Sequence, residues 1–496
     1  MSDLSESSVA AAATLLPAEV ADCVLVVDLD GTLTPTDTLI ESTLLLIKQR
    51  PLAVPGLLPA LLGGRSSLKA YICDRVALDP ANLPWRADFI AFLHAERARG
   101  RRIVLATAAD RRIAERVAAH LGLFDEVLAS DRDLNLKGPN KLAALRERFG
   151  ERFVYCGDSA ADLAVWEGSA GAVLVGTTPA LQARVRARSE TPTLATFGPD
   201  GGGSLRLWAK AMRVHQWVKN VLIFLPLLTA FAFTSLVPVL EALAAFIAFS
   251  LAASATYIGN DLWDLESDRA HRSKKNRPFA SGALMPHHGV AVAAVLMGVG
   301  LGIAALLSLP FLAMLVGYVV VTTAYSWSLK RYVVLDVITL AVLYTWRVLA
   351  GAIAIEVTIS TWLLAFSVFL FASLALIKRC AELVALQHEG KTGTRGRNYE
   401  VGDLVVLWPL GIGAGLSSVV VFGLFIGAPD TIGRYADARL LWLVAIGLMY
   451  WLSRLWIKTA RGVMHDDPIV FALRDRGSRL TILGMVAVTV AAWWLK

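Results

Sequence analysis

Asn260-Asp261-Leu262-Trp263-Asp264-Leu265-Glu266-Ser267-Asp268 is the stretch from which the rest of the chain can be read. It follows the apolar run Ala244 to Tyr257, within a segment (238–257) long enough to cross a bilayer. Three aspartates therefore stand where a membrane helix meets water. Steps of three and four place Asp261, Asp264 and Asp268 on one helical face. Like charges so close at a membrane edge are costly without a partner. A hard cation such as Mg²⁺, which takes carboxylate and phosphate oxygens together, is the partner this chemistry favours. The basic run that follows (Arg269, Arg272, Lys274, Lys275, Arg277) suits the rest of a diphosphate. The stretch predicts a metal-diphosphate site.

Composition agrees with a membrane setting. The chain has 496 residues, room for more than one domain, and 56% of them are hydrophobic. The formal net charge of +7 fits cytoplasmic loops and phosphate-bearing ligands rather than nucleic acid. The cysteines (Cys23, Cys73, Cys156, Cys380) have no zinc spacing and read as reduced. The first residues lack a basic segment leading into a long apolar core, so no cleaved signal peptide is expected.

In chain order, residues 1–21 are Ser/Ala-rich and read as disordered. Three strands then end in polar motifs. Cys23 to Val27 runs into Asp28-Leu29-Asp30-Gly31-Thr32, Arg102 to Ala106 ends at Thr107, and Phe153 to Cys156 ends in Gly157-Asp158-Ser159-Ala160-Ala161-Asp162. Helical stretches, Arg112 to Leu121 and Asn140 to Arg148, lie between them. This alternation predicts a doubly wound α/β domain over 22–190, with its site at the strand C-termini. A helical, apolar insertion over about 33–100 includes Leu44-Leu45-Leu46-Ile47 and Leu57-Leu58-Pro59-Ala60-Leu61-Leu62. It reads either as a cap with its own core or as a face resting on the membrane or the second domain.

The landmarks over 22–187 resemble, in order, the haloacid dehalogenase-like phosphotransferases. The resemblance implies a Rossmannoid fold with a helical cap and a phosphatase activity. It makes Asp28 the nucleophile, Asp30 the general acid/base and Thr107 the hydroxyl on a phosphoryl oxygen. Lys141, with Lys137 as the other candidate, is the lysine. Asp28, Asp30 and Asp158, aided by Asp162, would hold Mg²⁺. The chemistry is coherent by itself: a carboxylate nucleophile needs positive charge to approach a phosphate dianion.

Residues 191–206, with Gly198-Pro199-Asp200-Gly201-Gly202-Gly203-Ser204, read as a linker. Beyond it, 207–496 reads as a second domain with nine spans, near 218–235, 238–257, 288–307, 310–327, 334–353, 361–378, 404–426, 438–456 and 480–495. The loops after the even-numbered spans carry most of the Lys and Arg. The positive-inside rule then predicts an integral protein of a bacterial-type inner membrane, with the α/β domain and active face in the cytoplasm.

Nine helices with Asn260-Asp261-x-x-Asp264-x-x-x-Asp268 after the second resemble the UbiA superfamily of intramembrane prenyltransferases. Tyr325-Ser326-x-x-Leu329-Lys330 with Asp336 resembles its second motif, except that Leu340 stands where users of prenyl diphosphates carry another acid. Arg213-x-x-Gln216-Trp217-x-Lys219-Asn220, Lys378-Arg379-Cys380-Ala381-Glu382-Leu383 and His465-Asp466-Asp467-Pro468 are similar to the decaprenyl-phosphate phosphoribosyltransferases. That branch implies 5-phosphoribosyl diphosphate as donor and a polyprenyl phosphate as acceptor. Asp261, Asp264 and Asp268 would hold Mg²⁺ on the leaving diphosphate and act catalytically. Asn260, Lys219, Arg277, Tyr325, Lys330, Asp336, Arg347, Lys378, Arg379, Asp466 and Asp467 are the expected substrate-binding set. Arg347, a charge in mid-span, is a site candidate on physical grounds alone.

Together these readings predict a bifunctional enzyme. One half makes a lipid-linked ribose 5-phosphate, and the other removes the 5-phosphate. The alternatives are an aromatic prenyltransferase using a polyprenyl diphosphate, an N-terminal domain that only binds or regulates, and a transporter.

Overall fold

A computed structural model describes residues 15–131, 135–188, 190–198, 205–271, 274–358, 360–393, 397–464 and 467–494. Arg272, Arg395, His465 and Asp466 lie outside them. The chain divides into two units, Met1–Met212 with Tyr257–Ala293, and Arg213–Thr256 with Ala294–Lys496.

The first unit is built on β1 (Val24–Val27), where a run of β-branched and leucine side chains is buried on both faces. After it come α1 (Thr38–Gln49), α2 (Leu57–Leu62), α3 (Arg65–Cys73) and α4 (Ala87–Ala98). The remaining elements are β2 (Ile103–Asp110), α5 (Arg111–Leu121), β3 (Glu126–Ser130), α6 (Pro139–Phe149), β4 (Phe153–Gly157), α7 (Leu163–Glu167), β5 (Gly171–Val175), α8 (Pro179–Arg188), β6 (Thr193–Phe197) and α9 (Leu205–Ala211). The strands form one parallel sheet in the order β3-β2-β1-β4-β5-β6. Strand order reverses between β1 and β4, the place where doubly wound sheets bind ligands. Asp28 and Asp158 follow these two neighbouring strands, which is why motifs so distant in sequence meet.

Local chemistry sets the helix ends. Asp37 caps α1 by accepting from the Leu39 and Ile40 N–H groups, and Gly122 closes α5 in the left-handed region. The apolar insertion is a smaller cap than expected. Leu45, Leu46, Ile72 and Val76 give α1–α3 a core of their own. Phe89, Phe92 and Leu93 of α4, by contrast, pack on the sheet with Leu25 and Leu105. The expected boundaries also move outward. Leu16 and Val20 are buried in the same core, and β6 occupies part of the expected linker.

Eight helices are long and apolar enough to cross a membrane among the described residues. They are α11 (Leu236–Trp263), α13 (Pro286–Leu307), α14 (Leu309–Trp327), α15 (Leu335–Ala354), α16 (Thr361–His388), α17 (Leu404–Ile426), α19 (Leu441–Ala460) and α21 (Arg476–Trp494), with the short α10 (Leu225–Thr229), α12 (Leu265–Arg269), α18 (Pro429–Arg434) and α20 (Pro468–Arg474) between them. At about 1.5 Å per residue such helices match a hydrocarbon core of about 30 Å. The stretch expected as the first span, 218–235, is instead a 3₁₀ segment, Val214–Phe224, followed by α10 and another turn, Ala232–Thr234. Pro226 lacks an N–H, and Phe231 has a positive φ of 55°, so a continuous α-helix is interrupted there. Gly351 of α15 accommodates this segment: a Cβ there would lie 2.1 Å from the Ile223 carbonyl oxygen.

Candidate active sites

At the switch point, Lys141 Nζ donates to Asp28 Oδ2 (2.8 Å) and to the Tyr155 hydroxyl (2.7 Å), which donates to Asp162 Oδ1 (2.9 Å). Burial alone disfavours the Lys141 ammonium, but the Asp28 and Asp162 charges outweigh it and hold its pKa above the usual value. Of the two candidate lysines, Lys141 is the one bonded to Asp28, while Lys137 lines the cavity and is exposed. Asp28 Oδ1 also accepts from the Leu29 N–H. Asp158 lies so close to Gly31 that a Cβ there would be 2.0 Å from its Oδ2, and Gly31 has a φ of +76°. Both facts require glycine in the Asp-x-Asp-Gly turn.

Asp30 points elsewhere. Its Oδ1 accepts from the Thr38 N–H at 2.8 Å, and burial together with the Asp37 charge pushes its carboxyl up to about 7. That is a suitable value for an acid/base. The carboxylates brought within 4.8 Å of one another are Asp28, Asp158 and Asp162, so the Asp30 side chain is not part of the cluster expected to hold metal. Burial and the neighbouring Asp162 and Asp28 charges raise the Asp158 carboxyl well above its usual range. Three hard-oxygen donors crowded at this energetic cost fit a divalent cation such as Mg²⁺. Thr107 is fully buried, and its hydroxyl accepts from the Ala109 N–H. Ala108 and Ala109, rather than Thr107, line the cavity.

Tyr155 escaped the sequence reading because it sits inside an apolar strand, where it reads as core. The cavity itself measures about 430 Å³ and takes part of its wall from Met285 and His287, beside the start of α13.

Of the aspartate motif, Asp261 and Asp268 are buried, and Arg277 Nη1 bonds both, at 3.1 and 2.6 Å. Arg277, expected on a diphosphate, here supplies charge to these carboxylates. Asp264 does not continue the helix of Asp261. It stands at the junction between α11 and α12, half-buried, although Asp264 N–H still bonds Asn260 C=O and Asp268 N–H bonds Asp264 C=O. Hard carboxylate donors of this kind also fit Mg²⁺.

The second unit holds three further clusters. Asp467 caps α20 and accepts from Lys219 (2.8 Å), Lys378 (3.4 Å) and the Tyr344 hydroxyl (3.0 Å). Arg347 is buried and donates to Asn220 Oδ1 (2.9 Å), the Tyr318 hydroxyl (2.6 Å) and the Leu343 carbonyl (2.6 Å). Asp336 and Arg379, expected on substrate, are instead fully buried and paired with each other at 2.6 Å. Tyr399 donates to Asp336, and Glu382 pairs with Arg379. This cluster ties α15, α16 and the 397–400 segment together. Tyr325 and Lys330 are half-buried at the end of α14 and in the turn after it.

The UbiA prenyltransferase family matches residues 221–494, and haloacid dehalogenase-like hydrolases match residues 25–167. The chain belongs to the UbiA prenyltransferase family and carries an N-terminal haloacid dehalogenase-like domain. It is 39% identical to an uncharacterized protein, y4nM, of Sinorhizobium fredii, over 92% of this chain and 88% of that one. It is 35% identical to the nodulation protein NoeC of Azorhizobium caulinodans, over 56% of this chain and 90% of NoeC. It is also 32% identical to the decaprenyl-phosphate phosphoribosyltransferase of Mycobacterium tuberculosis, over 57% of this chain and 93% of that enzyme. A membrane-embedded UbiA-type transferase joined to a phosphatase-type domain is the class these findings define.

Proposed function

We propose that the membrane part transfers 5-phosphoribose from 5-phosphoribosyl diphosphate to a polyprenyl phosphate, decaprenyl phosphate in the first instance. The α/β domain then removes the ribose 5-phosphate from the lipid product. The observation that carries this reading is the Asp28–Lys141 pair with Asp158 and Asp162 beside it, in the same chain as a region similar to a decaprenyl-phosphate phosphoribosyltransferase. Leu340, in place of a second acid, favours this donor over a prenyl diphosphate.

In the transferase, Asp261, Asp264 and Asp268 would hold Mg²⁺, which when bound offsets the charge of the departing diphosphate. Lys219, Lys378 and Arg347 supply cationic donors for the phosphates of donor and acceptor, and Asn260, Tyr325, Lys330 and Asp467 complete the binding set. Asp466 remains a binding candidate on sequence grounds. Asp336 and Arg379, bonded to each other, would act by fixing α15 against α16.

In the phosphatase, an Asp28 carboxylate oxygen attacks phosphorus, the bond to the ribose O5 breaks, and Asp30 gives that oxygen a proton. Asp30 then takes a proton from water, whose oxygen attacks the phosphorus, releasing inorganic phosphate and restoring Asp28. Lys141 offsets charge beside Asp28, and Thr107 would hold a phosphoryl oxygen after a turn of its hydroxyl. Asp28, Asp158 and Asp162 are the residues that would hold Mg²⁺ here. Basic loops after alternate spans support a cytoplasmic position for both activities.

The test uses purified full-length protein, Mg²⁺, decaprenyl phosphate and ribose-labelled 5-phosphoribosyl diphosphate. Label should enter the lipid fraction with wild type and not with Asp264→Asn. Label absent from lipid with wild type, together with prenylation of an aromatic acceptor, would replace this reading with the prenyltransferase one.

A further inference from the structure

The phosphatase cavity is far larger than a phosphoryl group requires. A water takes about 30 Å³ of liquid, and a phosphate, with five heavy atoms, takes only a few times that. The cavity holds about 430 Å³, and two of its lining residues, Arg65 and Lys137, are exposed. Asp30, Asp37 and Asp110 also line it. Asp28, Asp158, Asp162 and Lys141 line one part, where the nucleophile stands. Arg65, Lys69, Lys137 and His287 line the same cavity as well. Lys69 donates to Asn135 Oδ1 (3.2 Å) and the Ala108 carbonyl, which leaves an ammonium one further proton to offer.

Lys69, Lys137 and Arg65 lie close enough to influence one another. Burial lowers the Lys69 pKa, the Asp30 and Asp37 charges oppose that, and the nearby Lys137 and Arg65 charges lower it further. Arg65, Lys69 and Lys137 exceed what the nucleophile needs, and although Asp30, Asp37 and Asp110 share the cavity with them, their N–H groups are the donors there that suit an anion. His287 belongs to the first turn of α13, a spanning helix, so this wall stands at a membrane-proximal position in the chain.

We propose that Arg65, Lys69, Lys137 and His287 form a second anion subsite, which takes a second phosphate borne by the same sugar phosphate whose first phosphate reacts at Asp28. The domain therefore selects bis-phosphorylated sugars over simple monoesters. This rests on the function proposed above, in which the substrate's ribose carries a 5-phosphate and, at C1, the phosphate of the lipid. His287 and Lys137 are then specificity-determining residues.

The experiment compares release of the 5-phosphate from ribose 1,5-bisphosphate and from ribose 5-phosphate by the full-length protein in detergent. Wild type should favour the bisphosphate in kcat/KM by at least about tenfold, as one charge-assisted hydrogen bond allows. The preference should collapse towards one in Lys137→Gln/His287→Ala, through a higher KM for the bisphosphate, and return in Lys137→Arg with His287 intact. A wild-type ratio near one, a preference that survives the double substitution, or equal loss on both substrates would each overturn the proposal. None of these readouts uses the transferase. Failure to label lipid would sink the proposed function and leave this ratio standing, whereas failure of the ratio alone removes only the subsite.

Discussion

Arg269 pairs with Glu41: its Nη2 lies 2.6 Å from Glu41 Oε1 and its Nη1 3.2 Å from Oε2, with both side chains more than nine-tenths buried. Arg269 follows Asp268 of the aspartate motif, and Glu41 belongs to the first turn of the cap helix α1. Glu41 also accepts from Thr36 (2.7 Å), whose carbonyl takes the Gly31 N–H, and the next helical residue, Thr38, holds Asp30. Hydrogen bonds and short stretches of backbone thus link the segment after Asp268 to Asp30.

Removing either partner leaves a buried charge unpaired, which costs about 3–5 kcal/mol. Arg269→Ala and Glu41→Ala should each loosen α1, seen as faster amide exchange over 38–49, and lower phosphatase kcat. The double variant should cost less than the sum of the two. Additive losses would mean the pair does not couple the segments.

Asp30 supplies the pH dependence. Its carboxyl is raised to about 7, so the proton-donating form is present below that pH and is lost above it. Phosphatase kcat/KM should fall as pH rises through this value. Asp37→Asn keeps a helix-capping side chain but removes a like charge, so the descending limb should move to lower pH. An unmoved limb would assign the acid to another group.

Gly31 tests the packing of the nucleophile loop. Gly31→Ala places a Cβ 2.0 Å from Asp158 Oδ2 at a φ of +76°, so phosphatase activity should drop at least about a hundredfold. Lys141→Met should do the same by removing charge beside Asp28. Lipid labelling by the transferase should persist in both.

The Lys219–Asp467 pair tests the second unit. Lys219→Met removes the shorter of the two ammonium contacts to a buried carboxylate. Such truncation costs about 2–5 kcal/mol, so transferase kcat/KM should fall at least about tenfold, with recovery in Lys219→Arg. Equal activity in Lys219→Met would place substrate away from Asp467.

The meeting of Asp28 and Asp158 was legible because strand-end motifs carry their own topology: β1 and β4 are neighbours. The rest depended on contacts that no local pattern encodes. Tyr155 lies in a strand that reads as core, and Thr107, legible as a strand-end hydroxyl, instead lies inside the longer β2; only the packed sheet reveals what each hydroxyl touches. Helix α4 has the composition of the cap, yet Phe89 and Phe92 bind it to the sheet. β6 is short and follows Pro192 in a polar stretch, so it passes for linker. Asp336 and Arg379 read as site charges because a buried pair needs both partners located. The break near Pro226 was visible as a proline, but average apolarity over the window obscured it.

Mass spectrometry of the lipid made from decaprenyl phosphate and 5-phosphoribosyl diphosphate tests the two-step account most directly, with wild type beside Asp28→Asn and Asp264→Asn. The account predicts a dephosphorylated ribosyl lipid from wild type, its 5-phosphorylated form from Asp28→Asn, and neither from Asp264→Asn. Dephosphorylated lipid from Asp28→Asn would contradict the role given to the α/β domain. Absence of any ribosyl lipid from wild type would contradict the role given to the membrane part.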